Sequence, residues 1–274
     1  MSFRKAAILV AAWQLSPAPA LAQEPRQVEV GYEITFAGFA GFRIDLTARF
    51  NGTRYDVETR TFKEGLLKAL TINYHGRNRA WGGFAPGGAQ PAAGSLSIVV
   101  GDKPRTWLAE YGSGGAMRET HNPGWQPTPS QTISDTDRQG SLDPLSAALA
   151  IGMAGDAACD KTVRSNDGKR VIDVLLHKVG TEPAAASGIP NARGDVLVCE
   201  VYSKRIAGEF AEAPKEAETE RERPIKLWFA YLDASSIRYP AKMEAQTSFG
   251  TIRGRLTWFR ERPLSTEEAQ SVGR

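Results

Sequence analysis

The sequence is poor in the residues that bind metals, with only two cysteines and three histidines among 274 residues. His75, His121 and His177 lie far apart and form no H-x-x-x-H pattern, and the two cysteines form no C-x-x-C pair. Protein zinc sites use several such ligands at short spacings. We therefore expect no metal site and no bound cofactor.

The common catalytic motifs are also missing. The sequence contains no G-x-S-x-G nucleophile elbow, no H-E-x-x-H zinc motif and no G-x-x-x-x-G-K-[ST] phosphate loop. We expect that the protein is not an enzyme. An active site built from dispersed Asp, His and Arg residues is the least supported alternative, and it would require a cleft with clustered titratable groups.

Three polar stretches come nearest to a site. The glycine-rich segment 112–121 follows a strand but has no helix behind it, as a phosphate loop requires, so it predicts a hairpin turn. Asp135 and Asp137 could pair as acid and base or hold a cation, but nothing nearby completes either site, which favours a polar loop. Arg77 and Arg79 could clamp an anion, but a solvated sheet face explains them more simply.

Long apolar runs are absent except at the N-terminus. Arg4 and Lys5 precede the apolar run 6–15, and the small residues that follow end in Ala20-Leu21-Ala22. This pattern predicts a secretory signal peptide over residues 1–22, cut before Gln23. The run is about half the length of roughly twenty residues that a spanning helix needs, so we expect no membrane span after cleavage.

An excess of one charge is missing from the chain after residue 22. Loss of Arg4 and Lys5 from the 34 basic residues leaves 32 against 31 acidic ones. Nucleic-acid-binding proteins carry a concentrated basic excess, so we expect no nucleic-acid partner. We expect residues 23–274 to form a single β-rich domain outside the cytoplasm, with a charged, solvated loop at about 211–224.

Cys159 and Cys199 have to be interpreted in that compartment. An even number of cysteines in an oxidising environment favours one disulfide. Two free buried thiols, or a catalytic or metal-binding pair, are the alternatives.

Alternating apolar and polar residues dominate what is present. Residues 28–36 and 41–50 both place apolar side chains at every second position, which is typical of antiparallel strands with one buried face. Asn51-Gly52 predicts a tight hairpin turn into a third strand, 53–62. Further strands are predicted at 70–82, 95–101, 104–111, 115–121, 170–179, 195–207, 224–232, 239–249 and 251–261, with turns at 85–94, 166–168 and 181–194.

Two internal segments depart from this alternation. Segment 63–71 predicts a helical turn, whereas 141–155 predicts a helix capped by Asp143, with Pro144 at its first position. This helix, near 143–154, is apolar nearly all round and should be buried against the concave face of the sheet. It could be a core plug or a gate over a ligand cavity. Possible cavity-lining residues are Leu145 and Leu149 on this helix and Trp228 and Trp258 on strands, where aromatic side chains can equally fill a core.

Six segments carry a resemblance to a known family; in order they are VEVGYEITFAGFAGFRIDL, DPLSAAL, CDKTVRSNDGKRVIDV, VCEVYSKRIAGEF, PIKLWFA and RYPAKMEAQTSFGTIRGRL. Through these segments the sequence resembles the family of secreted bacterial proteins known as domain of unknown function 3108. The resemblance implies a periplasmic, β-rich protein and pairs Cys159 with Cys199. It supplies no catalytic residues. Such chains are similar in fold to the open-barrel proteins that carry lipoproteins across the periplasm, an analogy of fold alone.

The fold class expected is mainly β, a large curved antiparallel sheet or open half-barrel with one buried helix. We expect a periplasmic, non-enzymatic protein that binds a hydrophobic or lipid-like ligand in the half-barrel. The alternative is an envelope scaffolding or interaction protein with a filled core, whose partner is another envelope protein.

Overall fold

The structure is a computed structural model that describes residues 24–69, 73–86, 88–101, 103–122, 133–208, 223–248 and 250–274. The predicted signal peptide, residues 1–22, and nearly all of the charged loop predicted at 211–224 lie outside these residues. No helix among the described residues is both long and apolar enough to cross a membrane.

Within the described ranges, thirteen strands form one sheet in which every neighbouring pair is antiparallel. They are β1 Arg26–Phe36, β2 Phe39–Phe50, β3 Arg54–Lys63, β4 Tyr74–Ala85, β5 Gly88–Val100, β6 Lys103–Tyr111, β7 Met117–His121, β8 Thr162–Asn166, β9 Arg170–Pro183, β10 Ala192–Gly208, β11 Ile225–Leu232, β12 Arg238–Thr247 and β13 Gly250–Pro263. The expectation of a mainly β protein built on a large antiparallel sheet is confirmed.

The strand order is β7-β6-β5-β4-β3-β2-β1-β13-β12-β11-β10-β9-β8. Two meanders, β1 to β7 and β8 to β13, are therefore joined through the pair of first and last strands, while β7 and β8 form the sheet edges. The two edges lie close together: the side-chain amide of Asn166 on β8 is 2.8 Å from the Glu119 carboxylate on β7. The sheet is thus curled into an open barrel whose edges meet through side chains.

The turns between strands follow the expected chemistry. Asn51 accepts hydrogen bonds at its side-chain oxygen from the backbone N–H groups of Thr53 and Arg54, and Gly52 has a φ of 86°. The predicted turn at 166–168 is also present, with Gly168 at a φ of 85° between β8 and β9. Both hairpin predictions are confirmed.

Four short helices and three 3-10 turns accompany the sheet in the described residues. The helices are α1 Asp135–Arg138, α2 Pro144–Met153, α3 Ala184–Ser187 and α4 Thr266–Ser271, and the 3-10 turns are Gly65–Ala69, Ser113–Gly115 and Gly155–Asp160. Asp143 caps α2 by accepting hydrogen bonds from the backbone N–H groups of Leu145 and Ser146 at 3.0 and 2.9 Å. The helix predicted near 143–154, its cap and its burial are confirmed.

Two strand predictions were incomplete. Segment 85–94 was expected to be a turn, but β5 begins at Gly88 and passes through Pro91. The register shifts there, and a Cβ on the facing Gly82 would lie 2.7 Å from the Pro91 Cα, so this strand is possible only because glycine faces the proline. The other omission is β8, which at five residues is too short to show a clear alternation.

The core consists of two apolar clusters that share α2. The larger joins β1–β4, β10–β13 and Leu149 of the helix, and the smaller surrounds Cys159 and Cys199 and includes Ile151. The helix also contacts β4, β5, β8 and β12 from within the curled sheet. The helix α2 therefore occupies part of the interior of the barrel and contributes to its core.

Candidate functional site

The inner face of the sheet can be identified from its contacts with α2. The Tyr55 hydroxyl on β3 lies 2.8 Å from the Ser146 hydroxyl on the helix. A Cβ on Gly94 of β5 would lie 2.6 Å from the Asp143 Cβ at the helix cap. Directly paired residues of an antiparallel sheet project to the same face, so the strand registers extend this inner face from Tyr55 and Gly94 across β1–β6.

Near α2 the inner face is completely buried. We call this the lower half of the barrel, and the end that carries the β1–β2 turn at 37–38 the upper end. A continuous row of small and β-branched residues crosses the lower half and packs without access to solvent: Val28, Ala48, Val57, Ala80, Gly94 and Ala109. The lower half is therefore a filled core.

In the rows above, the same face is half-buried at most positions on β1, β2 and β5, although Val30, Thr59 and Trp107 remain buried. We call this surface the apolar trough and define it by Tyr32, Ile34, Phe42, Ile44, Leu46, Leu96 and Ile98. Its aromatic rim is ordered, because Phe42 lies 6.4 Å from Phe36 and 5.2 Å from Tyr74 between ring centroids. The trough is an apolar concave surface that the helix does not cover.

Two polar atoms of the trough are buried without a hydrogen-bond partner among the described residues. They are the Tyr32 hydroxyl and the Asn78 side-chain oxygen, and Asn78 pairs with Leu96 on the trough face. Burial, followed by the proximity of Tyr239, raises the pKa of Tyr32 well above its usual range, so the phenol stays neutral. Both atoms are therefore polar groups buried beneath the surface of the trough with unused hydrogen-bonding capacity.

A polar cluster surrounds the start of α2 in the lower half of the barrel. Asp143 is buried with one carboxylate oxygen on the helix N–H groups and the other unpartnered within the described structure, as is the Tyr111 hydroxyl. Burial raises the pKa of Asp143 to about 6 and those of Tyr55 and Tyr111 above their usual range. The cluster holds neutral phenols and a weak acid and offers no activated nucleophile.

Glu119 on β7 connects the two sheet edges. Its carboxylate accepts hydrogen bonds from the indole N–H of Trp107 at 2.9 Å, the amide of Asn166 at 2.8 Å and the guanidinium of Arg138 at 2.5 Å. These donors come from β6, β8 and α1, and the Glu119 side chain is almost fully buried. The Glu119 carboxylate thus links β7 and β8, the two sheet edges, at the seam of the barrel, where the strands are not paired through their backbones.

The residues predicted to line a cavity do not meet at one place. Leu149 is buried in the larger core cluster and Leu145 packs against it. Trp228 is buried and donates its indole N–H to Glu182 at 3.1 Å. Trp258 is partly exposed and lies over Gly31, where a Cβ would come within 2.0 Å of the indole nitrogen.

Cys159 and Cys199 form a disulfide, with a Cα–Cα distance of 5.4 Å. Cys159 lies in the 3-10 turn that follows α2, and Cys199 lies on β10. Both are fully buried in the smaller core cluster. The bond therefore ties the end of the buried helix to the sheet.

The other polar residues considered in the sequence lie apart from the trough. Arg77 and Arg79 pair with Glu58 and Asp56 on the neighbouring strand. Asp137 forms a capping box with Ser134 at the start of α1. The three histidines are on β4, β7 and β9, and the described residues contain no group of three His, Cys, Asp or Glu side chains suited to a metal ion.

Cavities of about 340 to 470 Å³ lie at three places on the described residues; Leu96 of the trough lines one of them, whereas Ile34, Phe42 and Ile44 line none of these three. One runs along β5–β7, one lies beside α3, and one lies between α1 and the start of β7. The β1 and β2 part of the trough lies outside these three cavities, and Leu96 on β5 borders the first of them. Sequence reasoning missed the trough and Glu119, although the alternation of β1 and β2 already placed Tyr32, Ile34 and Ile44 on one face.

Two solved structures are similar to the chain. One is the crystal structure of a beta-barrel-like protein of domain of unknown function DUF1849 from Brucella abortus, with 11% identity, a TM-score of 0.47, and coverage of 87% of this chain and 98% of that one. The other is the hypothetical protein CT021 from Chlamydia trachomatis, with 8% identity, a TM-score of 0.30, and coverage of 86% and 89%. No curated protein matches the chain.

The family described as Protein of unknown function (DUF3108) matches residues 27–257. This range includes every strand from β2 to β12, the buried helix α2 and both cysteines. The match covers most of the sequence, and the chain belongs to the DUF3108 family of proteins of unknown function.

Proposed function

We propose that the protein is a non-enzymatic binding protein of the bacterial periplasm that holds a hydrophobic or lipid-like ligand in the apolar trough. The observation that carries the proposal is the change along one sheet face. The face is buried where α2 covers it and mostly half-buried above, where apolar residues on β1, β2 and β5 lie on either side of Thr61, Gly76 and Asn78. Accessible apolar surface bordered by polar residues is a common mark of a ligand-binding groove.

The dimensions of the trough suit an acyl chain. From Leu46 to Phe42 the inner face extends for four residues, about 13 Å at the usual rise per residue of a strand. That is close to half of the ~30 Å hydrocarbon thickness of a bilayer, the depth of one leaflet.

Two features support a periplasmic location. The sequence predicts a signal peptide at residues 1–22. The bond between Cys159 and Cys199 is of a kind that persists in oxidising compartments and is rare in the cytosol.

Lipid extraction and a fluorescent fatty-acid probe test the proposal. Organic extracts of gently purified protein should contain a co-purified lipid by mass spectrometry, and the empty protein should bind the probe. Ile44→Glu should reduce probe affinity about ten-fold or more, because it places a charge on the apolar surface that the chain would cover. Thr35→Glu is the matched control, since Thr35 lies on the outer face beside Arg253, where a carboxylate is solvated and paired.

The scaffolding alternative makes the opposite prediction. The filled lower half favours it, since α2 leaves no space there. If no lipid is extracted and the wild-type protein does not bind the probe, ligand binding is excluded and a filled-core interaction protein is the better description. Equal probe affinities for Ile44→Glu and wild type would remove the trough as the site.

A further inference from the structure

Three large apolar side chains project at the upper end of the barrel. We call Phe36, Phe39 and Leu66 the apolar tips, and they are 44%, 62% and 65% exposed. Phe36 and Phe39 flank the β1–β2 turn, and Leu66 lies in the 3-10 turn that follows β3. These are the ends of adjacent hairpins, at the opening of the trough.

The backbone that carries the apolar tips is packed against neighbouring turns and strands. The Glu64 N–H donates to the Gly41 carbonyl at 2.7 Å, and a Cβ on Gly65 would lie 2.5 Å from the Ala40 carbonyl oxygen. The turn before Phe39 is bonded to β13 through the Ala37 N–H and the Thr251 carbonyl at 3.0 Å. Three connected hairpins therefore hold the apolar side chains on the outside of the protein, and the fold itself keeps these side chains exposed to solvent.

Cations surround the tips and are more exposed than the acids they pair with. Lys68 bridges to Glu64 at 2.6 Å, with 62% of its side chain exposed against 23% for Glu64. Arg43, paired with Glu64 and Asp45, and Arg253, paired with Glu244, show the same order of exposure. The outward side of each pair is positive.

We propose that the upper end of the barrel docks on a phospholipid bilayer, with Phe39 and Leu66 inserted among the headgroups and the surrounding cations facing lipid phosphates. Exposed Phe and Leu beside Lys and Arg are the composition of protein surfaces that lie in the membrane interface. A protein partner would need a patch of about 800 Å² on each side, which a few projecting side chains do not provide. A lipid bilayer can accommodate each projecting side chain separately, without a large complementary surface.

Docking in this orientation turns the trough opening toward the lipid surface. The inference goes beyond ligand binding, because it rests on Phe39, Leu66 and the cations and not on the floor of the trough. A protein that holds an acyl chain in the trough could exchange it with the bilayer without exposing it to water.

Vesicle flotation tests the proposal. Purified protein is mixed with phosphatidylcholine vesicles, with and without phosphatidylglycerol, and the wild type should float with the vesicles, most completely with the anionic lipid present. The double variant F39S/L66S should lower the bound fraction about ten-fold, because two side chains lose their burial. Val179→Ser is the control: Val179 is 49% exposed on β9, far from the tips, and its replacement should leave flotation unchanged.

The two proposals fail separately in this assay. F39S/L66S should retain affinity for the fatty-acid probe and an unchanged melting temperature, whereas Ile44→Glu should still float. Membrane docking is overturned if the wild type floats with neither kind of vesicle, or if F39S/L66S floats as the wild type does. It is equally overturned if Val179→Ser loses as much binding as the double variant, since exposed apolar surface would then be sufficient anywhere.

Discussion

The lower and upper halves of the barrel share strands, registers and side-chain alternation, but they differ in what covers the inner face. In the lower half α2 lies against β4 and β5, and residues such as Val28 and Ala48 are inaccessible to solvent. In the upper half Ile34 and Ile44, which lie further along the same strands toward the upper end, are half-buried. A strand pattern alone therefore does not distinguish a core from a binding surface, because the covering element comes from elsewhere in the chain.

The largest expected effect comes from separating α2 from the sheet at the disulfide. Cys199→Ser should lower the free energy of unfolding by about 4 kcal/mol on the chain-entropy estimate for the loop of 40 residues. Denaturant titration measures it. A reducing agent should reproduce the loss in the wild type and leave the variant unchanged. Non-reducing peptide mapping that finds both thiols free in exported protein would contradict the prediction.

Truncating one apolar side chain in each half compares the halves directly. Leu149→Ala in the lower half should cost about 3 kcal/mol, because the buried site cannot collapse around the missing atoms. Ile44→Ala in the trough should cost about 1 kcal/mol, since much of that side chain is already accessible. Equal losses in urea titrations would show that the trough is covered in solution and that the two halves are alike.

An effect that depends on pH concerns the boundary between the halves, where Asp143 caps α2. Its pKa is raised by burial to about 6, against about 3.9 in an unfolded chain, so protonation favours the folded state. This stabilising contribution is complete below pH 4 and is lost as pH rises through 6. Asp143→Asn keeps the capping oxygen and removes the charge. It should therefore stabilise the protein at pH 8 by on the order of 2 kcal/mol and have little effect at pH 4.

Thermal or denaturant unfolding of Asp143→Asn and Asp143→Ala across this pH range provides the check. Alanine removes the cap to Leu145 and Ser146, so it should be less stable than asparagine at every pH. A wild-type protein that gains stability from pH 4 to pH 8 relative to Asp143→Asn would show that the carboxylate is ionised at little cost.

Local chemistry made much of the fold predictable. Strict alternation in β1 and β2, the Asn51-Gly52 turn and the Asp143-Pro144 helix start are each determined by a few neighbouring residues, and all three are present. The passage of β5 through Pro91 was not predictable in this way, because it depends on Gly82 in the facing strand.

The candidate site was less predictable than the fold. Burial of Asp143 depends on the absence of a side chain at Gly94 and on the position of Tyr111, both distant in sequence. Glu119 at the seam gathers donors from three separate segments, and no local pattern indicates that these meet. The helix α2 leaves the trough uncovered because it begins beside Gly94 and runs toward the lower end, where Gly152 lies against Arg238.

The pairing of β1 with β13 affects the order in which the strands of the sheet can pair during folding. Arg26 lies opposite Pro263, so the first strand to emerge during synthesis or export receives one neighbour only when almost the whole chain has followed. Until then one side of β1 is an unpaired edge, the kind of surface that recruits strands from other molecules. Contacts of such long sequence separation form slowly. The newly synthesised chain therefore passes through a stage in which β1 has only one of its two neighbours, until β13 has formed.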